Sequence, residues 1–191
     1  MSTKTKCVFI LLSRTETVPA RVIRKLKGDG YSHVSLAIEP ATDKFYSFAR
    51  RRIHNPLIAG FVSEDLHSGV FGNYPDCKSA LYSLEVTEEA YQAISMTINH
   101  FIDNYERSKY SFIGMFALAF GIKIKLKNKF TCSQFVANTL NNAGAIVFPK
   151  DPCLMLPNDF SKISELHLIY EGALKNCNNE VFYQSTPVLK K

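Results

Sequence analysis

The chain has 191 residues, 46% of them hydrophobic, and a formal net charge of +6. It contains no long charged or Pro-, Gly- or Ser-rich linker, which argues against several domains joined by spacers. We therefore predict one domain over residues 1–175 and a mobile C-terminal tail over residues 176–191, where apolar periodicity is lost.

Five cysteines are scattered along the chain without CxxC spacing. Their odd number and wide separation favour neither a disulfide framework nor a zinc site. The N-terminus lacks the layout of a signal peptide, and the longest strongly apolar run, residues 112–122, is too short to span a bilayer. We therefore expect a cytoplasmic protein whose thiols stay reduced.

The first predicted elements lead to a histidine at the start of a strand. Residues 7–12 predict a buried strand, and residues 18–27 predict a short basic helix. Gly28-Asp29-Gly30 indicates a turn, after which residues 31–38 predict a second strand. Alternate residues of this strand form an apolar face and a small, polar face, and His33 belongs to the polar one. Such a histidine is well placed to line a cleft, although a lone histidine more often has only a structural role.

The next segment is easy to assign at its start and difficult at its end. Residues 44–50 predict a strand that runs back beside the previous one. Beyond it, Asn55-Pro56 and Gly60 indicate loops, and only Phe61-Val62 suggests a brief strand. We therefore predict irregular structure at these loops and no long strand between residues 51 and 72.

Two helices and a lysine-rich segment follow. After a strand at residues 81–86, Thr87 is expected to cap a long amphipathic helix, and residues 112–120 predict a short apolar one. Residues 122–129 then alternate apolar side chains with Lys123, Lys125, Lys127 and Lys129. This alternation is typical of a half-buried strand with solvated lysines, and it would also suit weak contact with an anionic membrane surface or polymer. No motif supports nucleic-acid binding.

A cysteine stands where a further helix is expected to begin. Thr131 is a good N-cap residue, an apolar stripe follows, and Gly144 supplies a stop in the left-handed conformation. Cys132 then lies in the first turn, where unpaired N–H groups and the helix dipole favour a thiolate and can later hold an oxyanion. Together with a histidine at the start of a strand, it would form the two halves of a thiol–imidazole site. The alternative is a buried, inert cysteine.

Thr131-Cys132-Ser133-Gln134-Phe135-Val136 resembles the Asp-Cys-Ser-Gly-Phe-Val signature of NlpC/P60 cysteine peptidases, with Thr131 and Gln134 as departures. In ordinary members the Cys helix precedes the His strand, whereas here His33 precedes Cys132. This order is similar to the circularly permuted branch, which includes YiiX-like hydrolases and lecithin:retinol acyltransferase-like enzymes. The resemblance covers roughly residues 5–172. It implies an α+β, permuted papain-like fold in which an antiparallel sheet packs against helices, including the nucleophile helix.

The resemblance also implies roles for further residues. Aligned with the family pattern, Ser47 falls at the third catalytic position, which orients the imidazole, although the family more usually has His, Asn, Gln or Glu there. Tyr110 and Ser133 correspond to the oxyanion side of the site. Arg50 and Arg51 lie in a segment that borders the site in permuted members and are candidates for holding an anionic group. A solvated basic edge is their alternative role.

The predicted activity is thiol-dependent acyl transfer to water, an amine or an alcohol, without a metal or organic cofactor. The resemblance implies either a cell-wall-type peptide or amino-acid amide, or an acyl lipid handled at a membrane surface. A catalytically inactive binding protein on the same scaffold remains the third alternative. The sequence does not predict an oligomeric state.

Overall fold

A computed structural model describes residues 6–14, 30–38, 44–52 and 55–177. They form an α+β structure built on one eight-stranded sheet with the strand order β7-β6-β4-β3-β2-β1-β5-β8. The predicted helix over residues 18–27 lies outside the described residues. The strands are β1 Lys6–Ser13, β2 His33–Ala37, β3 Lys44–Arg52, β4 Asn55–Asp65, β5 Lys78–Val86, β6 Lys109–Tyr110, β7 Lys129–Phe130 and β8 His167–Ala173.

The central strand β1 is apolar on both sides because both faces of the sheet are covered. It pairs antiparallel with β2 and with β5. Val8, Ile10 and Leu12 belong to the larger core, and Phe9 and Leu11 belong to the smaller core on the other side. All five side chains are inaccessible to solvent, so the predicted buried strand is confirmed.

The described residues contain four α-helices: α1 Gly69–Gly72, α2 Glu88–Asp103, α3 Phe112–Ala119 and α4 Cys132–Asn142. Short 3₁₀ turns occur at Tyr105–Arg107, Pro152–Leu154, Pro157–Lys162 and Leu174–Asn176. As predicted, Thr87 caps α2, where its hydroxyl accepts a hydrogen bond of 3.2 Å from the Ala90 N–H. Gly144, with φ of 69°, follows α4 in the left-handed conformation expected for it. These parts of the chain are described correctly by local sequence rules.

The predicted irregular structure after β3 is wrong. Strand β4 has 11 residues and pairs antiparallel along β3, with Phe45 opposite Glu64 and Phe61 opposite Phe48. Gly60 lies inside this strand. A larger residue would not fit there, because its Cβ would come within 2.3 Å of the Ser108 carbonyl oxygen. The glycine thus permits close approach of a neighbouring segment and does not indicate a loop.

Helix α4 is fixed on the sheet by an aromatic cluster. The Phe135 ring lies 5.5 Å from Phe48, 5.6 Å from Phe61 and 5.4 Å from Phe101, measured between centroids. These residues come from β3, β4 and α2, so one side chain joins four elements. Phe135 is 1% exposed. Because Phe135 lies one turn after Cys132, this packing also sets the position of the thiol.

Two further expectations are corrected. The sheet is not purely antiparallel, since β6 and β7 pair in parallel. The lysine segment is not a long strand: an isolated bridge joins Leu126 to Lys129 and only Lys129–Phe130 enters the sheet. Cys177, the last described residue, is completely buried, and the rest of the predicted tail lies outside the described residues. In the described part of the chain, the helices are too short or too polar to form a membrane span.

Candidate active site

The first turn of α4 is organised by a capping box around Cys132. The Thr131 hydroxyl accepts a hydrogen bond of 3.2 Å from the Gln134 N–H, and the Gln134 side-chain oxygen accepts one of 3.1 Å from the Thr131 N–H. This reciprocal pair satisfies two donors that a helix start otherwise leaves open. The two departures from the NlpC/P60 signature are therefore the two members of this box.

Gln134 also fixes the surroundings of the helix start. Its amide nitrogen donates to the Cys153 carbonyl at 3.2 Å and to the Ile124 carbonyl at 3.4 Å. The side chain is 4% exposed, and these bonds satisfy its polar atoms. One glutamine thus connects the start of α4 to two loops.

His33 lies at the start of β2 with its ring largely buried, and a carboxylate binds it. The ring Nε2 lies 3.0 Å from Oε1 and 2.9 Å from Oε2 of Glu64, which is on β4. Phe71 meets the imidazole edge-on, with 6.0 Å between ring centroids. The Glu64 carboxylate accepts a hydrogen bond from the Nε2–H, which fixes the ring orientation and leaves Nδ1 to exchange a proton with a neighbour.

The third position assigned to Ser47 is occupied by Glu64. The Ser47 hydroxyl donates a hydrogen bond of 2.6 Å to Oε2 of Glu64, and the same carboxylate oxygen lies 2.9 Å from Nε2 of His33. Ser47 is completely buried on β3, between the strands that carry the other two residues. It therefore positions Glu64 and does not contact the imidazole. The prediction identified the correct neighbourhood but not the residue that carries the charge.

Cys132 lies close enough to His33 to raise the pKa of the imidazole, through a side-chain hydrogen bond and the charge of the sulfur. Burial alone would lower the pKa of His33, but the negative charge of Glu64 and the hydrogen bonds to Cys132 and Glu64 outweigh burial and raise it to about 10. The His33 ring is therefore the positively charged imidazolium at neutral pH. Cys132 and His33 are 4% and 8% exposed, so their interaction is shielded from water.

The oxyanion side contains Tyr110 and the first N–H groups of α4. Burial and the nearby charge of Cys132 raise the pKa of the Tyr110 phenol well above its usual value, so the phenol remains a hydrogen-bond donor. The capping box uses the Gln134 N–H, which leaves those of Cys132 and Ser133 at the helix start. The Ser133 hydroxyl is buried 3.3 Å from the Thr131 hydroxyl. Its backbone N–H is thus better placed than its side chain to bind an oxyanion.

A cavity of about 640 Å³ adjoins the carboxylate side of the site. Arg50, Arg51, Glu64, Phe71 and Tyr105 are among the residues that line it. Arg51 lies against the cavity wall, but its guanidinium donates to the carbonyls of Ser108, Phe61 and Tyr105 and stacks 3.8 Å from the Tyr105 ring centroid. These bonds give Arg51 a structural role in place of the predicted substrate contact. Arg50 remains a cavity-lining candidate.

Glu64 was missed because its strand was not predicted. It stands in a polar stretch, Ser63-Glu64-Asp65, that looks like the end of a loop. In the structure β4 runs along β3, and Glu64 lies opposite Phe45. Phe45 and Ser47 are on the same face of β3, so Glu64 shares that face with Ser47. The signal available in the sequence was the apolar pair Phe61-Val62 followed by an acidic residue two or three positions on.

No protein-family model matches the chain, and a search of curated proteins finds no significant match. Among the described residues, no group of three His, Cys, Asp or Glu side chains is arranged to hold a metal ion. A function for this chain is therefore inferred from the arrangement of His33, Glu64 and Cys132.

Proposed function

We propose that the chain is a cysteine hydrolase or acyltransferase with a circularly permuted, papain-like NlpC/P60 fold. The observation that carries the proposal is a buried imidazole that Glu64 contacts on one side and whose pKa the Cys132 thiol raises. A buried carboxylate, an imidazole and a thiol at a helix start are the components of an activated thiol nucleophile. A merely structural cysteine does not need such partners.

The mechanism follows from where the proton lies. His33 holds the proton of the Cys132 thiol, and the resulting thiolate attacks the carbonyl carbon of an amide or ester. Negative charge moves to the carbonyl oxygen, where the N–H groups of Cys132 and Ser133 and the Tyr110 hydroxyl stabilise it. His33 then protonates the leaving amine or alcohol as the carbon–heteroatom bond breaks, which leaves an acyl thioester on Cys132.

The second half of the reaction uses the same groups in reverse. Neutral His33 removes a proton from water, an amine or an alcohol, and that acceptor attacks the thioester carbonyl. When the tetrahedral intermediate collapses, the C–S bond breaks and the sulfur leaves as a thiolate beside the reprotonated imidazole. Glu64 keeps its negative charge throughout and stabilises the imidazolium. Glu64 thus takes the role that the resemblance implied for Ser47.

Two substrate classes suit this chemistry, a peptide or amino-acid amide and an acyl lipid. The cavity beside Glu64 is large enough for a group of small-ligand size and has arginines in its wall. The lipid alternative is favoured by a separate observation, the exposed apolar side chains of α3 in the segment between Tyr110 and Cys132. The reactivity of Cys132 is tested first, because both substrate classes require it.

The decisive experiment is alkylation of the intact folded protein by iodoacetamide between about pH 5 and 9, measured at each cysteine by mass spectrometry. We expect Cys132 to react selectively at the acid end of the range. Cys77 is the internal control, since burial and the charge of Asp76 raise its pKa to about 11 and delay its reaction. An acyl adduct on Cys132 after incubation with a p-nitrophenyl ester would extend the result from reactivity to catalysis.

His33→Ala should slow alkylation of Cys132 by about a hundredfold, the usual scale for loss of an acid–base partner. His100→Ala, at an exposed histidine on α2, is the matched control and should leave the rate unchanged. If Cys132 reacts no faster than Cys77, and the p-nitrophenyl ester leaves no acyl group on it, the enzyme proposal fails. A binding protein on the same scaffold would then account for the site.

A further inference from the structure

Helix α3 exposes apolar side chains that the core does not use. Ile113, Phe116 and Phe120 are 63%, 50% and 69% exposed. Their spacing of three and four residues places them on one face of the helix, while Met115 and Leu118 are buried. Exposed aromatic and branched side chains grouped in this way indicate a contact surface.

The end of the helix keeps this face ordered. The Gly121 N–H bonds to the Leu118 carbonyl at 3.0 Å, and the Ile122 N–H bonds to the Ala117 carbonyl at 2.8 Å. With Gly121 at φ of 72°, these bonds form a Schellman motif. Phe120 and Ile122, which is 56% exposed, are therefore held outward by defined backbone and not by a loose loop.

Exposed lysines lie in the segments that directly precede and follow this helix. Lys125, Lys127 and Lys129 are exposed, and within the described residues no ion pair involves them. The parallel pairing of β6 with β7 places the exposed Lys109 beside Lys129, which adds a lysine from a remote part of the sequence. Lys123 is the exception, because it forms an ion pair with Asp151.

We propose that this surface docks on an anionic lipid membrane. The α3 face consists of Ile113, Phe116, Phe120 and Ile122, with Lys109, Lys125, Lys127 and Lys129 in the adjoining segments. An apolar helical face with adjacent cations is suited to the bilayer interface, where rings enter the acyl boundary and ammonium groups contact lipid phosphates. The charge complementarity selects anionic lipid over a second copy of this chain, since two such faces would bring their lysines together. The inference does not depend on turnover at Cys132.

The test is co-sedimentation of the full chain with vesicles of phosphatidylcholine alone and with vesicles containing phosphatidylserine as well. We expect binding only to the anionic vesicles, weakening as salt is added. Lys125→Gln with Lys127→Gln should reduce partition onto them by roughly thirtyfold, from about fivefold for each lysine at an anionic surface. The matched control is Lys44→Gln with Lys162→Gln, which removes the same charge from exposed positions outside the face.

Phe120→Ser tests the apolar part and should lower partition at least severalfold, whereas Val147→Ser, at an 86% exposed site elsewhere, should not. These side chains are exposed, so all four variants are expected to fold, and circular dichroism checks this. Absence of binding to anionic vesicles, or equal losses in the face and control variants, would overturn the proposal. Sedimentation velocity tests whether a second copy of the chain covers this face instead. If the protein is a dimer that Phe120→Ser dissociates, and it does not bind vesicles, the face is a dimer interface.

Discussion

The two halves of the candidate site are built in different ways. The imidazole half consists of His33, Ser47 and Glu64, which come from three neighbouring strands and are joined by hydrogen bonds. The thiol half is a single residue at the start of α4, positioned by the capping box and by Phe135 packing one turn further on. The first half depends on charge and polar contacts, and the second depends on a helix terminus and apolar packing.

Variants in the two halves of the candidate site are therefore expected to have different effects. Changes in the imidazole half should alter the pKa of His33 and, with it, the pH dependence of stability, while the sheet keeps its strands in register. Changes in the packing of α4 should alter stability first and move the thiol as a consequence. Variants in each half can therefore show whether the two are independent.

The largest effect is expected from Phe135→Ala in the thiol half. Removing this buried ring leaves a cavity among Phe48, Phe61 and Phe101 and should lower the free energy of unfolding by about 3–5 kcal/mol. Urea unfolding measures the loss, and Cys132 alkylation should become less selective. Phe160→Ala, at an equally buried ring, is the control, with a similar stability cost but unchanged selectivity. A Phe135→Ala protein of normal stability would show that α4 does not depend on this cluster.

Glu64→Gln should give the next effect, in the imidazole half. The pKa of His33 is raised from 6.5 to about 10, so its contribution to stability is complete below pH 6.5 and is lost as pH rises through 10. The free energy of unfolding should fall across that window by up to about 1.4 kcal/mol per pH unit. The variant should flatten this slope, because burial then lowers the His33 pKa without an opposing carboxylate.

Urea unfolding at a series of pH values, together with NMR titration of the imidazole, measures both quantities. Glu85→Gln makes the same change at an exposed position of β5 and should leave the slope intact. An unchanged imidazole titration in Glu64→Gln would remove Glu64 from its assigned role.

Ser47→Ala should have the smallest effect. It removes one hydrogen bond to a buried carboxylate, which is expected to cost about 1–2 kcal/mol of stability and to shift the His33 titration less than Glu64→Gln does. Ser79→Ala is a matched change, since Ser79 is equally buried and donates to the Gly172 carbonyl at 3.1 Å. It should cost a similar stability without altering the imidazole. An effect on titration as large as that of Glu64→Gln would restore Ser47 to the third position.

The sequence predicted those parts of the molecule that local rules determine. Residues 7–12 are apolar on both faces and form β1, and the caps of α2 and α4 lie at Thr87 and Thr131 as expected. His33 and Cys132 were identified by their places at the start of a strand and of a helix. Their proximity, 99 residues apart in sequence, was inferred from the resemblance and is present in the structure.

The sequence could not predict features that depend on distant neighbours. Gly60 looks like a break until the Ser108 carbonyl is seen to pass 2.3 Å from where its Cβ would lie. Because Gly60 was assigned to a loop, the prediction lacked strand β4 and did not identify Glu64. Arg51 likewise looks like a ligand for an anion until the Phe61, Tyr105 and Ser108 carbonyls surround its guanidinium. Long-range backbone contacts decided both outcomes.

The amide of Gln134 has a mechanical consequence. By donating to the Ile124 and Cys153 carbonyls, it connects the first turn of α4 to the lysine-containing segment 122–129. A displacement of that loop, whether by thermal motion or by an external load, would pull on the same turn that holds Cys132. Gln134, which stands where the NlpC/P60 signature has a glycine, thus restricts the motion of the turn that carries Cys132.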